Sequence, residues 1–293
     1  MADATMPRDT FTPANASAAP VTFALVTPTR SRRDPLRRLL ESLTRQEHRH
    51  FTVYLGDQNV AGEIQDIIDA YSAQISIHHA PMLPAGISKA RNALLKLVKE
   101  DVIILTDDDC HYPPETFAQL ARAFSENPGA DIIIGRWLEK KPTPSSERGQ
   151  HPVTSRYGMF SNASSIVLFF RKRVFEHLIF DESMGIGCTS HIQSGEETDL
   201  LLRAHAAGFS IFRDDSILVR HDNSIPGSPN TLRKVEDYGV GRMYLLKKHR
   251  FPLWFMLVNI TFPLLRLIME GPSHYRYRWR MFIGRCKGLL TTP

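Results

Sequence analysis

From Val21 to Ile134 the chain alternates short β-rich runs with apolar stripes of helical spacing, and this constrains the fold more than any other feature. Val21–Val26 is a β-rich run that stops at Thr27-Pro28-Thr29. Leu36, Leu39, Leu40 and Leu43 then repeat at i, i+3, i+4 and i+7, which is one face of a helix. Phe51–Leu55 predicts the next strand, and Ile64, Ile67, Ile68 and Tyr71 the next helix. Ile75–Ile77, a helix through Ala90, Leu94 and Val98, and the fully apolar Val102–Leu105 continue the series. A helix opening at Pro113-Pro114 carries Phe117, Leu120, Ala121 and Phe124, and Ile132–Ile134 closes it. Strands and helices in alternation predict an α/β fold whose mostly parallel sheet is flanked by helices. Ligand-binding residues of such sheets gather beyond the carboxyl ends of the strands. The segments to inspect are therefore Thr27–Arg33, Gly56–Val60, Pro84–Arg91 and Thr106–His111.

The rest of the chain divides by character. Residues 1–20 are rich in Ala, Thr, Pro and Ser without the apolar core of a signal peptide, and read as a disordered tail. Arg136–Ser165 lapses into Pro, Ser, Gly and charges and reads as a long surface loop. A strand at Ile166–Phe170, a helix near Glu196–Ala207 and a short strand at Ile217–Val219 follow. Residues 21–250 thus form one α/β domain, and 251–293 a helical extension. In that extension Phe251–Met269 is strongly apolar, and Gly271–Pro293 carries five Arg or Lys and no acid. Three scattered cysteines supply neither a disulfide framework nor a four-cysteine zinc site. The net charge of +5 invites a nucleic-acid reading. The arginines of Arg30–Arg49, however, are interleaved with Asp34, Glu41 and Glu47, as on a solvated helix face, so no nucleic-acid partner is expected.

Three acidic or histidine-bearing elements could carry chemistry. Asp107-Asp108-Asp109 follows a buried strand, where adjacent carboxylates repel unless a cation compensates. Carboxylates at i and i+2 of extended chain point the same way, so Asp107 and Asp109 can converge on a divalent ion with hard oxygen ligands. The bland alternative is an acidic turn ahead of the helix at Pro113. Glu196-Glu197 could supply a general base whose pKa is lifted by its neighbour, or acids that favour a helix dipole. His221, within Arg220-His221-Asp222, could ligate a metal or simply pack.

Together these elements resemble family 2 glycosyltransferases. Val21–Arg30 with Ser42-Leu43-Thr44-Arg45-Gln46 is similar to the family's opening, as are Asp57 and Gly86-Ile87-Ser88-Lys89-Ala90-Arg91-Asn92. Thr106-Asp107-Asp108-Asp109 resembles its D-x-D element. Phe180-Asp181-Glu182 with Gly195–Leu200, Arg203 and Gly208 resembles its second acidic element, with Glu-Glu where the family usually has Glu-Asp. The similarity runs from Val21 to about His249.

The resemblance implies a GT-A, Rossmann-like fold and sugar transfer, with inversion, from a nucleotide diphosphosugar, UDP-linked, to a hydroxyl of a glycan or lipid-linked acceptor in envelope polysaccharide synthesis. It implies that Pro28, Thr29, Arg30, Asp57, Arg91, Asp107 and Asp108 border the nucleotide sugar. Asp109, Asp107 and His221 would hold Mn²⁺ or Mg²⁺, and Glu197, with Glu196 as the alternative, would be the base.

A glycoside hydrolase built on two carboxylates is the competing reading, though it needs neither an Asp triplet nor a nucleotide-binding half. A nicotinamide dehydrogenase is set aside because Thr27-Pro28-Thr29 stands where G-x-G-x-x-G would. Phe251–Met269 admits three readings: a membrane-crossing helix, a core or subunit-packing helix of a homo-oligomer, or a membrane-surface helix aided by Arg276, Arg278, Arg280, Arg285 and Lys287. The last expects a peripheral enzyme on the cytoplasmic face of the cell membrane.

Overall fold

Each β-rich run becomes a strand and each apolar stripe a helix in the computed structural model, which describes residues 19–138, 150–162, 164–221 and 229–292. The first half holds β1 (Phe23–Thr29), α1 (Arg33–Thr44), β2 (Phe51–Asp57), α2 (Gln65–Ser72), β3 (Ser76–Pro81) and α3 (Ile87–Leu95). It continues with β4 (Val102–Leu105), β5 (Cys110–His111), α4 (Thr116–Glu126) and β6 (Ile132–Trp137). The second half holds β7 (His151–Pro152), α5 (Arg156–Asn162), β8 (Leu168–Arg171), α6 (Arg173–His177), α7 (Glu196–Ala206) and β9 (Ile211–His221). Three helices end the chain: α8 (Pro229–Lys248), α9 (Leu253–Glu270) and α10 (Tyr275–Leu290).

The sheet runs β3-β2-β1-β4-β8-β6-β9-β5, with β7 also on β9. The pairings β3-β2-β1-β4 are all parallel, as right-handed βαβ crossovers require. The far half mixes directions: β8 is antiparallel to both β4 and β6, while β6 and β9 are parallel. Leu168, Phe169 and Phe170 in β8 are fully buried, as befits a strand in the middle of a sheet covered on both faces. The four leucines of the α1 stripe are likewise fully buried, so the periodic face is the one that packs on the sheet.

Two expectations are refined. Within Arg136–Ser165, the chain forms β7 and α5, and Met159 and Phe160 reach the core; residues 139–149 and 163 of that span lie outside the described residues. Residues 1–18 of the expected tail also lie outside them, as does Asp222. The C-terminal segments are helical, and α10 packs along α8 through glycines: Cβ atoms added at Gly284 and Gly288 would lie 2.1 and 2.4 Å from the carbonyl oxygens of Glu236 and Val240. The basic character of α10 is largely met from within. Arg280 and Lys287 pair with Glu236, and Arg278 pairs with Glu270.

Candidate active site

The carboxyl ends of β1, β2 and β4 lie side by side, Thr29 opposite Asp57 and Val26 opposite Leu105. Parallel pairing therefore gathers the three segments that follow these strands. Asp57 accepts hydrogen bonds from the Asn59 backbone and side-chain amides at 3.0 and 2.7 Å, and its Oδ2 lies 2.8 Å from His79 Nε2. Thr29 Oγ1 donates to Asp108 Oδ2 at 2.7 Å. Beyond β1 a left-handed turn at Ser31 (φ 55°) leads to Arg32, whose guanidinium pairs with Asp108 at 3.0 Å and with Asp109. Arg30 is exposed. Burial, opposed by Arg32 and Thr29, lifts Asp108 to about 6.

The third acid and the histidine meet through strand pairing. β5 is antiparallel to β9 with Cys110 opposite His221, so the residue before Cys110 comes to face the end of β9. His221 Nε2 lies 3.1 Å from Asp109 Oδ1, and Trp137 stacks on the imidazole at 5.5 Å with 15° between the planes. Burial would raise Asp109, but His221 and Arg32 overcome it and hold it at about 2. Burial would lower His221, but Asp109 and Asp107 overcome it and hold the ring above its ordinary value. One ligand atom each from Asp107, Asp109 and His221 lies within 4.8 Å of the others.

This donor set fits a divalent cation. Asp109 Oδ1 is buried without a hydrogen-bond partner, although it faces His221. Adjacent ligands of an octahedral ion with bonds of about 2.1 Å lie about 3 Å apart, which is the spacing of these two atoms. Two carboxylates and one imidazole suit Mn²⁺ or Mg²⁺.

The second acidic element is set by α7. Gly195 precedes the helix at φ 94°, and a Cβ there would come within 2.7 Å of Leu245, so both backbone and space require glycine. Glu196 turns inward. Its Oε1 lies 3.4 Å from Nη1 of Arg91, whose Nη2 donates to Asp107 Oδ1 at 2.9 Å. Arg91 is fully buried on α3 and links the metal-site acid to the acidic pair. Burial, and then the neighbouring Glu197, push Glu196 well above the usual carboxylate range, against the pull of Arg91. Glu197 differs in kind: its Oε2 is buried without a hydrogen-bond partner.

Asp107, Glu196, Glu197 and His221 all line one cavity of about 430 Å³. Residues of α8 and α10, including Tyr238, Arg242 and Arg285, complete its lining. Pro28, Thr29, Arg30, Asp57, Arg91, Asp108 and Asp109 lie outside that lining, Pro28, Thr29 and Asp57 at the paired ends of β1 and β2. The structure thus brings together Asp107, Asp109, His221, Glu196, Glu197 and Arg91 from four separate elements and loops. Sequence reading overlooked Arg32, Trp137 and the arginines of α8 and α10. For Arg32 a signal existed, since three adjacent acids call for a nearby cation, but Arg30, Arg32 and Arg33 were equally eligible.

Among solved structures, the TarS fragment from S. aureus matches with a TM-score of 0.56 and 17% identity, over 78% of this chain and 65% of that one, just under two thirds of its length. The complex of a TarS fragment with UDP-GlcNAc matches at 0.59 and 14%, covering 92% and 91%. The mannosyltransferase PcManGT from Pyrobaculum calidifontis, in complex with GDP-Man and Mn²⁺, matches at 0.62 and 13%, covering 93% and 90%. At such identities the likeness concerns the fold, which is that of GT-A glycosyltransferases. No curated protein matches the chain. The family model for Glycosyl transferase family 2 matches residues 24–183, more than half the chain and all of the sheet from β1 to β8 with the Asp triplet. The chain therefore belongs to glycosyl transferase family 2.

Proposed function

We propose that the enzyme transfers a sugar, with inversion, from a nucleotide diphosphosugar, UDP-linked, to a hydroxyl of a glycan or lipid-linked acceptor in envelope polysaccharide synthesis. One observation carries the reading: Asp107 and His221 of the candidate metal group line the same cavity as Glu197. The neighbours support the donor class, since TarS is solved with UDP-GlcNAc and PcManGT with GDP-Man and Mn²⁺.

Asp109, Asp107 and His221 would hold Mn²⁺ or Mg²⁺, which when bound offsets the negative charge that develops on a diphosphate leaving group. Glu197 lines the cavity and is less buried than Glu196, so it is the carboxylate placed to accept the proton of the acceptor hydroxyl. As that proton leaves, the acceptor oxygen bonds to the anomeric carbon from one face. The bond to the diphosphate breaks on the other, and the nucleoside diphosphate departs. Glu196 is the weaker choice for the base, because its carboxyl lies against Arg91 and burial favours its neutral form. Its role is to hold its neighbour and Arg91 in place. The Glu197→Gln variant is expected to lose about 10²–10⁴-fold in kcat while binding donor normally. Near wild-type turnover would assign the base elsewhere.

The reading includes a peripheral site of action on the cytoplasmic face of the membrane. α9 is long and apolar enough to cross a membrane by length and composition. Its outward stripe of Leu253, Trp254, Leu257, Val258, Leu265 and Ile268 is 51–82% exposed. Its inward face carries Asn259, hydrogen-bonded to Arg242 and Arg285, and burying those arginines in hydrocarbon would be costly. This favours a helix lying in the interface with only the apolar side immersed. Exposed Arg276, beside Tyr275 and Trp279, complements anionic headgroups. Because α10 packs on α8, point changes test this better than truncation. Leu257→Glu with Ile268→Glu should abolish cosedimentation with anionic vesicles; unchanged binding, or loss of a dimer in its place, would refute it.

A further inference from the structure

The cavity lining includes two arginines, Arg242 and Arg285, that the transfer reaction as described leaves unused. Arg285 is 6% exposed, and its Nε is buried without a hydrogen-bond partner. Its Nη1 donates to the carbonyl of Asn259, and its Nη2 lies 3.5 Å from Met281 Sδ. Arg242 donates through Nε to Asn259 Oδ1 at 2.6 Å, and its guanidinium sits 4.4 Å from the centre of the Phe160 ring. Asn259, itself buried, therefore aligns both side chains from α9, and both line the cavity that contains Glu197.

Among the described residues no carboxylate pairs with either guanidinium. The nearby Arg278 spends its charge on Glu270, at 2.6 and 2.7 Å. Desolvation lowers Arg242 to about 10, and desolvation with repulsion from Arg242 and Arg278 does the same to Arg285. Two like charges held together with little water are unfavourable unless an anion joins them. A pair of guanidinium forks matches the charge and the oxygens of a phosphate better than any neutral hydroxyl. Burial is what acts on Arg242, and burial with Arg242 and Arg278 on Arg285, so neither guanidinium stands against the metal-site acids and the anion served here is not the donor diphosphate held there.

We propose that Arg242 and Arg285 form an acceptor-side anion subsite that holds a phosphate group of the acceptor while its hydroxyl is presented to Glu197. The proposal rests on the glycosyltransferase reading and adds the chemical class of the acceptor. The phosphate is either part of a soluble sugar- or polyol-phosphate or carried on a lipid headgroup.

The test keeps the two readings apart by first saturating the full-length protein with UDP and Mn²⁺. Glycerol phosphate is then titrated calorimetrically, and vesicles of phosphatidic acid in phosphatidylcholine are compared with phosphatidylcholine alone by cosedimentation. Binding of either probe to the nucleotide-loaded protein, weakened about tenfold or more in Arg242→Gln, is expected. Glycerol phosphate alone would point to a soluble acceptor, and phosphatidic acid alone to a lipid-borne one. Arg285→Lys, which keeps the charge but loses the fork, provides a second variant and should also weaken binding. The proposal is overturned if neither probe binds the loaded protein, if UDP displaces the phosphate competitively, or if both variants bind as the wild type does. Failure of UDP and Mn²⁺ to bind at all would instead remove the UDP-linked donor reading, and the subsite with it.

Discussion

Gly284→Ala sets two opposed effects against each other at the α8–α10 crossing. In an isolated helix, alanine for glycine is stabilising by about 1 kcal/mol, through helix propensity and the entropy of the unfolded chain. In this fold the new methyl would lie 2.1 Å from the carbonyl oxygen of Glu236 and 2.8 Å from its carbon, both backbone atoms of α8. Ordinary contact needs more than about 3 Å, so α10 must move by roughly 1 Å or more, and overpacking of this kind costs about 1–3 kcal/mol. The upper end applies, because the obstacle is backbone and cannot rotate away. The net expectation is destabilisation by about 2 kcal/mol. With a urea m-value near 3 kcal/mol/M, the midpoint should fall by about 0.7 M without a change in slope. Gly288→Ala, whose methyl would meet the Val240 carbonyl at 2.4 Å, should behave alike. A rise in the midpoint for both variants would mean that α10 does not pack on α8, and the cavity wall bearing Arg242 and Arg285 would go with it.

Two further predictions concern charge. Asp199, fully buried, meets Arg203 and Lys248 at 2.8 Å and His249 at 2.9 Å, so Asp199→Asn should cost about 1.5–3 kcal/mol by taking their shared carboxylate charge from these part-buried partners. Burial alone would raise this carboxyl, but those partners pull it far below the ordinary range. A depressed acid stabilises the fold above its unfolded pKa and loses that contribution as pH falls. Wild-type stability should therefore decline below about pH 4, and Asp199→Asn should flatten the decline; equal slopes in denaturant titrations at descending pH would contradict the assignment. Arg32→Gln should lower the stability of the metal-free protein by about 1 kcal/mol or less given its exposure, and enlarge the Mn²⁺-induced rise in melting temperature, because Arg32 and the ion both neutralise Asp109. An unchanged Mn²⁺ response would separate the arginine from the metal group.

How much of this was legible in the sequence follows from where the physics is local. Helices α1 to α4 show because each buries one periodic face, as Leu36, Leu39, Leu40 and Leu43 do, and strands β1 to β4 and β6 because they are short β-rich or apolar runs between them, whereas the two-residue β5 is too short to show. The acids show because adjacent carboxylates after a buried strand need a cation. His221 was visible only by resemblance; its placement depends on β5 pairing with β9, a contact between residues far apart in the chain. α8 left no stripe because it is packed on more than one side, with glycines at the crossing to α10 where apolar side chains would otherwise mark a face. The basic tail read as a free charge patch, yet Glu236 and Glu270 take up three of its five cations. The Arg242–Arg285 pair has no sequence signature, since Asn259 on a third helix aligns it.

The central claim is that Asp107, Asp109 and His221 hold a divalent ion against a nucleoside diphosphate. Thermal unfolding across a set of nucleoside diphosphates, with and without Mn²⁺, tests it directly. At about a hundredfold excess over Kd, one nucleotide with Mn²⁺ should raise the melting temperature by about 5–10 °C, and His221→Ala should erase the metal-dependent part. No shift with any nucleotide in the presence of Mn²⁺, or a shift that His221→Ala and Asp109→Asn leave intact, would contradict the account.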